Sequence, residues 1–302
     1  MAQVLSSPLA LCALLLGAWA VVGLAALLRP ASIAFATRAL YPLGALCGAA
    51  LACVAAATLV APAAPAARLV LPIGLPDLPV HLRLDGLASL FLFLLGIAAT
   101  GISIFAAGYF RRPDGTPPGL ICLQYHLFLA SMGFVLLADD AYGFMLAWET
   151  MALSSYFLVT TQHRIPDIRS AGFLYLLIAH VGAIGILLSF GVLQGGSWQF
   201  TFDAMRGARL EPDRAAAAFL LALFGFGAKA GLVPMHVWLP EAHPAAPSPV
   251  SALMSGVMLK TALYGLLRIA FDLLGEPAWW WGLVPLALGL FTALYGVVFA
   301  AA

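Results

Sequence analysis

Charge is what this 302-residue sequence has least of: 9% of its side chains are charged, against 63% that are hydrophobic. A soluble domain carries about 25% charged residues. About 190 apolar residues exceed what one soluble core of this size can hide. The 14 basic and 13 acidic side chains nearly cancel, which excludes a basic nucleic-acid surface and an acidic disordered tail. Cysteine motifs are also missing. Cys12, Cys47, Cys53 and Cys122 fall in apolar runs without CxxC spacing, so they read as small hydrophobes and not as zinc or dithiol ligands. No Lys or Arg precedes the first apolar run, from Pro8 to Leu28. That run therefore reads as an uncleaved first helix and not as a secretory signal.

What is present is a series of long apolar runs. They predict an all-α, polytopic transmembrane bundle of about nine spans, near 9–28, 39–61, 86–108, 120–138, 141–161, 170–193, 215–239, 249–271 and 279–302. A membrane β-barrel would instead alternate apolar and polar residues. Breakers fill the connections: Pro62, Pro65, Pro72, Pro76 and Pro79 in the second loop, and a charged turn from Arg111 to Pro118. Asp85, Asp139, Asp140 and Asp213 are placed to cap helices, and Ser248–Pro249 reads as an N-cap and N1 pair. Orientation follows from basic residues. Loops after spans one, three and five hold Arg29, Arg38, Arg111, Arg112, Arg164 and Arg169, six against the five of the other set (Arg68, Arg83, Arg206, Arg209, Arg214). The second set's longer loops also carry seven acids, so the first set is expected inside and the N-terminus outside.

Four polar residues break the apolar pattern at mid-span. Glu149 lies in span five, His180 in span six, Lys229 in span seven and Lys260 in span eight. A charge at such depth costs about 2.5–3.5 kcal/mol on insertion scales and marks a functional site by default. Lys229 and Lys260 are the only lysines in the sequence, since every loop cation is arginine. Arginine keeps its proton in a protein, whereas a desolvated lysine can release one. Span seven also contains Pro234, which cannot donate to the carbonyl of Ala230, together with Gly225, Gly227 and Gly231. Interrupted helices mark ion sites in transporters, and a freed carbonyl beside Lys229 is expected to help hold its ammonium. His236, Glu241 and His243 follow the break and are either an inlet for water or ordinary interfacial residues. A static Glu–Lys pair that fixes helix packing, and a His180 that merely hydrogen-bonds between helices, are the plainer alternatives. Trp279, Trp280 and Trp281 read as an interfacial belt.

Two strings carry a resemblance. Gly225 to Arg268 reads GFGAKAGLVPMHVWLPEAHPAAPSPVSALMSGVMLKTALYGLLR, and Trp148 to Val159 reads WETMALSSYFLV. Both resemble the antiporter-like, proton-translocating membrane subunits of respiratory NADH dehydrogenase, Mrp cation/proton antiporters and membrane-bound hydrogenases. The phrase HPAAPSPVSALMSG most resembles the hydrogenase branch, the type of hydrogenase 4 component B and of the formate hydrogenlyase membrane subunit. The resemblance is strong over 141–268 and weak before about residue 85.

The resemblance implies roles. Glu149 matches the family's fifth-helix glutamate, Lys229 its broken-helix lysine, and Lys260 the lysine of the next helix. Together they form a half-channel in which a glutamate–lysine pair opens and closes as protons move, with His180 as an intermediate. It implies residues 1–119 as three N-terminal helices, 120–271 as a first five-helix repeat (helices 4–8), and 272–302 as the start of a second repeat. Relatives continue into further helices, so the sequence is expected to be a fragment or truncation. No cofactor is expected in this chain: NADH, flavin, quinone and iron–sulfur chemistry would belong to other membrane and peripheral subunits. Transported ions would be protons, or Na+ under the reading as an Mrp-type antiporter, and the location would be a bacterial inner membrane. A non-transporting scaffold is the third reading.

Overall fold

A computed structural model describes residues 7–61, 66–111 and 115–301 of the chain. The expected breakers Pro62 and Pro65, the loop residues Arg112 and Asp114, and Ala302 lie outside the described residues. Long runs of Leu, Ala, Ile and Val fold as helices here because in lipid every backbone N–H and C=O must be satisfied within the segment itself. Among the described residues, eight helices are long and apolar enough to cross a membrane: α1 (Pro8–Leu28), α2 (Ile33–Val60), α3 (Gly86–Tyr109), α4 (Pro118–Leu137), α6 (Pro166–Leu193), α7 (Pro212–Ala245), α8 (Ser248–Leu273) and α9 (Trp279–Ala301). Between α4 and α6 lies α5 (Ala141–Val159), 19 residues long. It is less apolar because it carries Glu149, Thr150, Ser154 and Ser155.

α4 is the most enclosed helix and α9 the least. α1 packs on α4, α2 on α3, α4 on α5, and α6 on α7. Small residues let these backbones approach. A Cβ added at Gly225 of α7 would lie 2.5 Å from the carbonyl oxygen of Gly182 on α6.

Two of the expected caps form: Asp85 accepts from the Ala88 amide at 2.9 Å and Asp140 from the Gly143 amide at 2.6 Å. The others do not. Asp139 is drawn into an ion pair with Arg206. Asp213 falls inside the first turn of α7, where Glu211 holds the cap position. Ser248 is the first residue of α8 and Pro247 precedes it, so the expected Ser248 cap shifts by one residue and has no side-chain bond. All four cysteines are free, with Cys12 and Cys122 buried, Cys47 partly buried and Cys53 exposed. Trp279 is exposed, whereas Trp281 stacks on Phe219 at 4.8 Å between ring centroids.

The second loop differs from the expectation of a plain proline-rich connection. It contains a two-stranded antiparallel hairpin, β1 (Ala67–Leu75) and β2 (Leu78–Leu84). The prolines are compatible with it by position. Pro76 and Asp77 form the two-residue turn, and Pro72 falls in the irregularity between Leu71 and Gly74, where no ladder bond is lost. Such a hairpin is marginal alone, and here it is tied down. The Asp139 amide donates to the His81 carbonyl at 2.8 Å, the His81 amide donates to Asp140 at 2.6 Å, and Arg68 pairs with Asp203 at 2.7 Å. These contacts gather the hairpin, the α4–α5 turn and the segment before α7 on one face of the bundle.

Candidate functional site

The interruption of α7 starts at a glycine. The first part of the helix ends at Ala230, and Gly231 takes the left-handed conformation (φ 80°) while its amide and that of Leu232 return to the Gly227 carbonyl. This is a glycine-terminated helix end, three residues ahead of Pro234. The expectation that Pro234 itself frees the Ala230 carbonyl is corrected accordingly. The chain then turns through Met235–Val237 and resumes as a helix over Trp238–Ala245. Two side chains satisfy backbone groups opened by the break. The Trp238 indole N–H donates to the Ala228 carbonyl at 2.9 Å, and Thr292 of α9 accepts from the Val233 amide at 3.1 Å.

Lys229 occupies the last turn before this end, where the helix dipole favours a cation. It is 2% exposed. Contrary to the expectation from the sequence, its ammonium does not use a freed carbonyl. It donates to the hydroxyl of Tyr175 on α6 at 2.6 Å and lies 4.7 Å from the centroid of that ring. The Tyr175 oxygen also lies 2.5 Å from Ser155 Oγ of α5, and Ser155 in turn donates to the Met151 carbonyl at 2.6 Å. The Tyr175 and Trp238 rings pack at 5.0 Å.

Glu149 and Lys229 are not brought into an ion pair, and among the described residues neither lysine has a carboxylate oxygen within 4.0 Å. Glu149 instead meets His180, with Oε2 and Nε2 3.3 Å apart and both side chains partly exposed on the α5–α6 surface. His180 Nδ1 lies 2.9 Å from the Leu176 carbonyl. Lys260 is exposed and donates to the Ser255 carbonyl at 2.7 Å. That carbonyl lies in a π-helical turn, Met254–Met258. Such one-turn widenings inside α-helices often accompany functional sites.

Of the three residues expected as an inlet, His236 lines a cavity of about 210 Å³ with Gly231, Thr292 and Tyr295, directly at the break. His243 is tied to Ser251 at 2.9 Å, and Glu241 is exposed. Neither Glu241 nor His243 lines that cavity.

Sequence reasoning missed Tyr175 and Ser155, which read as ordinary helix residues, and it missed an ionic cluster on the hairpin face. Arg268 of α8, 5% exposed, grips both oxygens of Asp85 at 2.6 and 3.0 Å, Asp272 at 3.0 Å, and the Tyr264 hydroxyl. Arg206 joins Asp272 at 2.9 Å to Asp139 at 2.8 Å. Burial works to raise the Asp85 carboxyl, but the hydrogen bonds and charge of Arg268 outweigh it and hold the group below its usual value. Asp140, buried under the hairpin, is raised by burial, against the opposing bonds from the Gly143 and His81 amides.

An interrupted membrane helix with a buried lysine at its break defines a class of polytopic, broken-helix membrane proteins. The particular family follows from comparison: residues 138–302 match the NADH:quinone oxidoreductase/Mrp antiporter, TM family, and the chain belongs to it. It is 41% identical over 223 residues to hydrogenase-4 component B of Escherichia coli (strain K12), covering 73% of this chain and 33% of that protein. Similarity to NAD(P)H-quinone oxidoreductase chain 4 2 of Thermosynechococcus vestitus is 32% over 225 residues, covering 72% of this chain and 40% of the other. The chain thus spans about a third of the length of such curated relatives. Among solved structures, the Mrp complex from Dietzia sp. DQ12-45-1b superposes with a TM-score of 0.71 at 26% identity, over 94% of this chain and 31% of that one.

Proposed function

We propose that this chain is a proton-translocating, antiporter-like membrane subunit of a multi-subunit oxidoreductase, of the hydrogenase type, and that Glu149, His180, Lys229 and Lys260 form its relay. The observation that carries this reading is Lys229, buried at the break of α7 without a carboxylate partner. A cation so placed is costly to keep for packing alone, whereas a lysine that exchanges its proton has a use there.

The Glu149–His180 pair supports the same reading. A carbonyl only accepts, so His180 Nδ1 carries a hydrogen toward Leu176. The 3.3 Å approach of Nε2 to Oε2 is then attractive only with one proton between them. A pair that holds one proton between two acceptor atoms suits a place in a proton relay. Residues 120–271 would be the first five-helix repeat. The partners would be the complex's other membrane and peripheral subunits, in a bacterial inner membrane with the hairpin face outward. Glu149→Gln or Lys229→Ala should abolish proton pumping in the assembled complex and leave its soluble redox half-reaction intact; normal pumping in both variants would overturn the proposal.

A second reading is an Mrp-type cation/proton antiporter subunit, favoured by the superposition on the Mrp complex. Sodium-dependent rescue of a salt-sensitive host would select it.

A further inference from the structure

We propose that Tyr175 is the positioning residue of Lys229, able to hold the lysine in both of its protonation states. The proposal rests on the relay reading of Lys229 given above. The hydrogen bonds around the Tyr175 hydroxyl take their direction from the ammonium, which can only donate. Ser155 gives its own proton to the Met151 carbonyl at 2.6 Å, so its oxygen is free to accept the phenol proton at 2.5 Å. The phenol oxygen is then free to accept from the ammonium at 2.6 Å. The chain of donors therefore runs from Lys229 through Tyr175 and Ser155 to the backbone of α5.

When Lys229 loses its proton, its nitrogen gains a lone pair. The phenol O–H can then turn about the C–O bond and donate to that nitrogen, while Ser155 remains on Met151 and no carbonyl changes partner. Tyr175 keeps its own proton throughout. A carboxylate in its place would serve the ammonium and leave the neutral amine without a donor. Among the described residues, no further ionisable side chain hydrogen-bonds to the Tyr175 hydroxyl or the Lys229 ammonium. From α5 comes Ser155 and from α8 Met258, whose sulfur is 3.7 Å from the phenol. From beyond the break comes Trp238, whose N–H is committed to Ala228. Among the described residues no carboxylate lies within 4.0 Å of the ammonium.

The test is the pH profile of proton transport by the assembled complex in inverted membrane vesicles, with Tyr175→Phe, Ser155→Ala and Lys229→Ala. Tyr175→Phe keeps the ring and removes the acceptor. It should move the transport profile toward acid by about one pH unit, a tenfold loss in proton affinity or about 1.4 kcal/mol. Ser155→Ala leaves the Lys229–Tyr175 bond but frees the phenol proton to favour the neutral amine, so it should shift the profile the same way by a smaller amount. A Tyr175→Phe profile that overlays the parent, or one lowered equally at every pH, overturns the proposal. If Tyr175→Phe does not assemble, Ser155→Ala decides, and an unshifted profile there overturns it. Transport that survives Lys229→Ala defeats the relay reading itself. Transport lost in Lys229→Ala with an unshifted Tyr175→Phe defeats the Tyr175 proposal alone.

Discussion

Arg268→Met should be among the most destabilising single changes on the hairpin face. The Arg268 side chain is 6% exposed and that of Asp85 17%. They share two hydrogen bonds, and Asp272 and the Tyr264 hydroxyl complete the set around the guanidinium. Methionine fills similar space but leaves the half-buried Asp85 with Arg83, 3.5 Å away, as its one cationic partner among the described residues. Removing one member of a fully buried pair costs about 3–5 kcal/mol, and because Arg83 and the Ala88 amide still hold the half-buried Asp85, the cost is expected toward the lower end of that range. Arg68→Ala is the control: its pair with Asp203 has side chains 54% and 59% exposed, and exposed pairs contribute about 0–1 kcal/mol. Both are measurable by denaturant unfolding in detergent, followed by tryptophan fluorescence. The pH dependence adds a sign. With Arg268 present, the Asp85 value is depressed below 3.8, so its stabilisation is complete above that pH and is lost as pH falls through the folded value. Without Arg268 the charged form of Asp85 loses its main stabilising partner, so the gap between parent and variant should narrow in acid. A variant within about 1 kcal/mol of the parent, or a gap independent of pH, would refute the reasoning.

Three further outcomes are expected. Gly231→Ala should cost about 1–2 kcal/mol, because a Cβ is strained at φ 80° and would run into the Leu239 side chain; unfolding in detergent measures it. Thr292→Val should cost about 1–3 kcal/mol by leaving the Val233 amide unpaired at the break, whereas Thr292→Ser should keep parental stability in the same assay. Asp140 has a raised value, so its contribution to stability is greatest below 3.8 and falls as pH rises through the folded value. A stability-versus-pH titration of Asp140→Asn should lose that falling limb, and an unchanged limb would assign it to another group.

Much of the candidate site was legible because its residues break a pattern. Glu149, Lys229 and Lys260 are charges inside runs of Leu and Ala, and such a defect stands out against its neighbours. Tyr175 and Ser155 break nothing: a tyrosine or serine in a membrane helix has many uses, and only the approach of α5, α6 and α7 gives these two a partner. Arg268 and Asp272 read as the end of a span and the start of a loop, and their link to Asp85 crosses 183 positions of sequence. The hairpin was hidden by its prolines, because their compatibility depends on a pairing register that composition does not reveal.

That the chain is a multi-pass helical membrane protein, and that its seventh apolar run is interrupted, can be read from its residues alone. Hydrophobic length and the local chemistry of glycine and proline suffice for both. Only the tertiary structure decided which polar groups meet. It set Lys229 against Tyr175, Glu149 against His180, and Asp85 against Arg268. Partnership at membrane depth depends on how helices face each other across a few ångströms. That facing is set by the close contact of small residues such as Gly182 and Gly225, and the hydropathy of each span does not encode it.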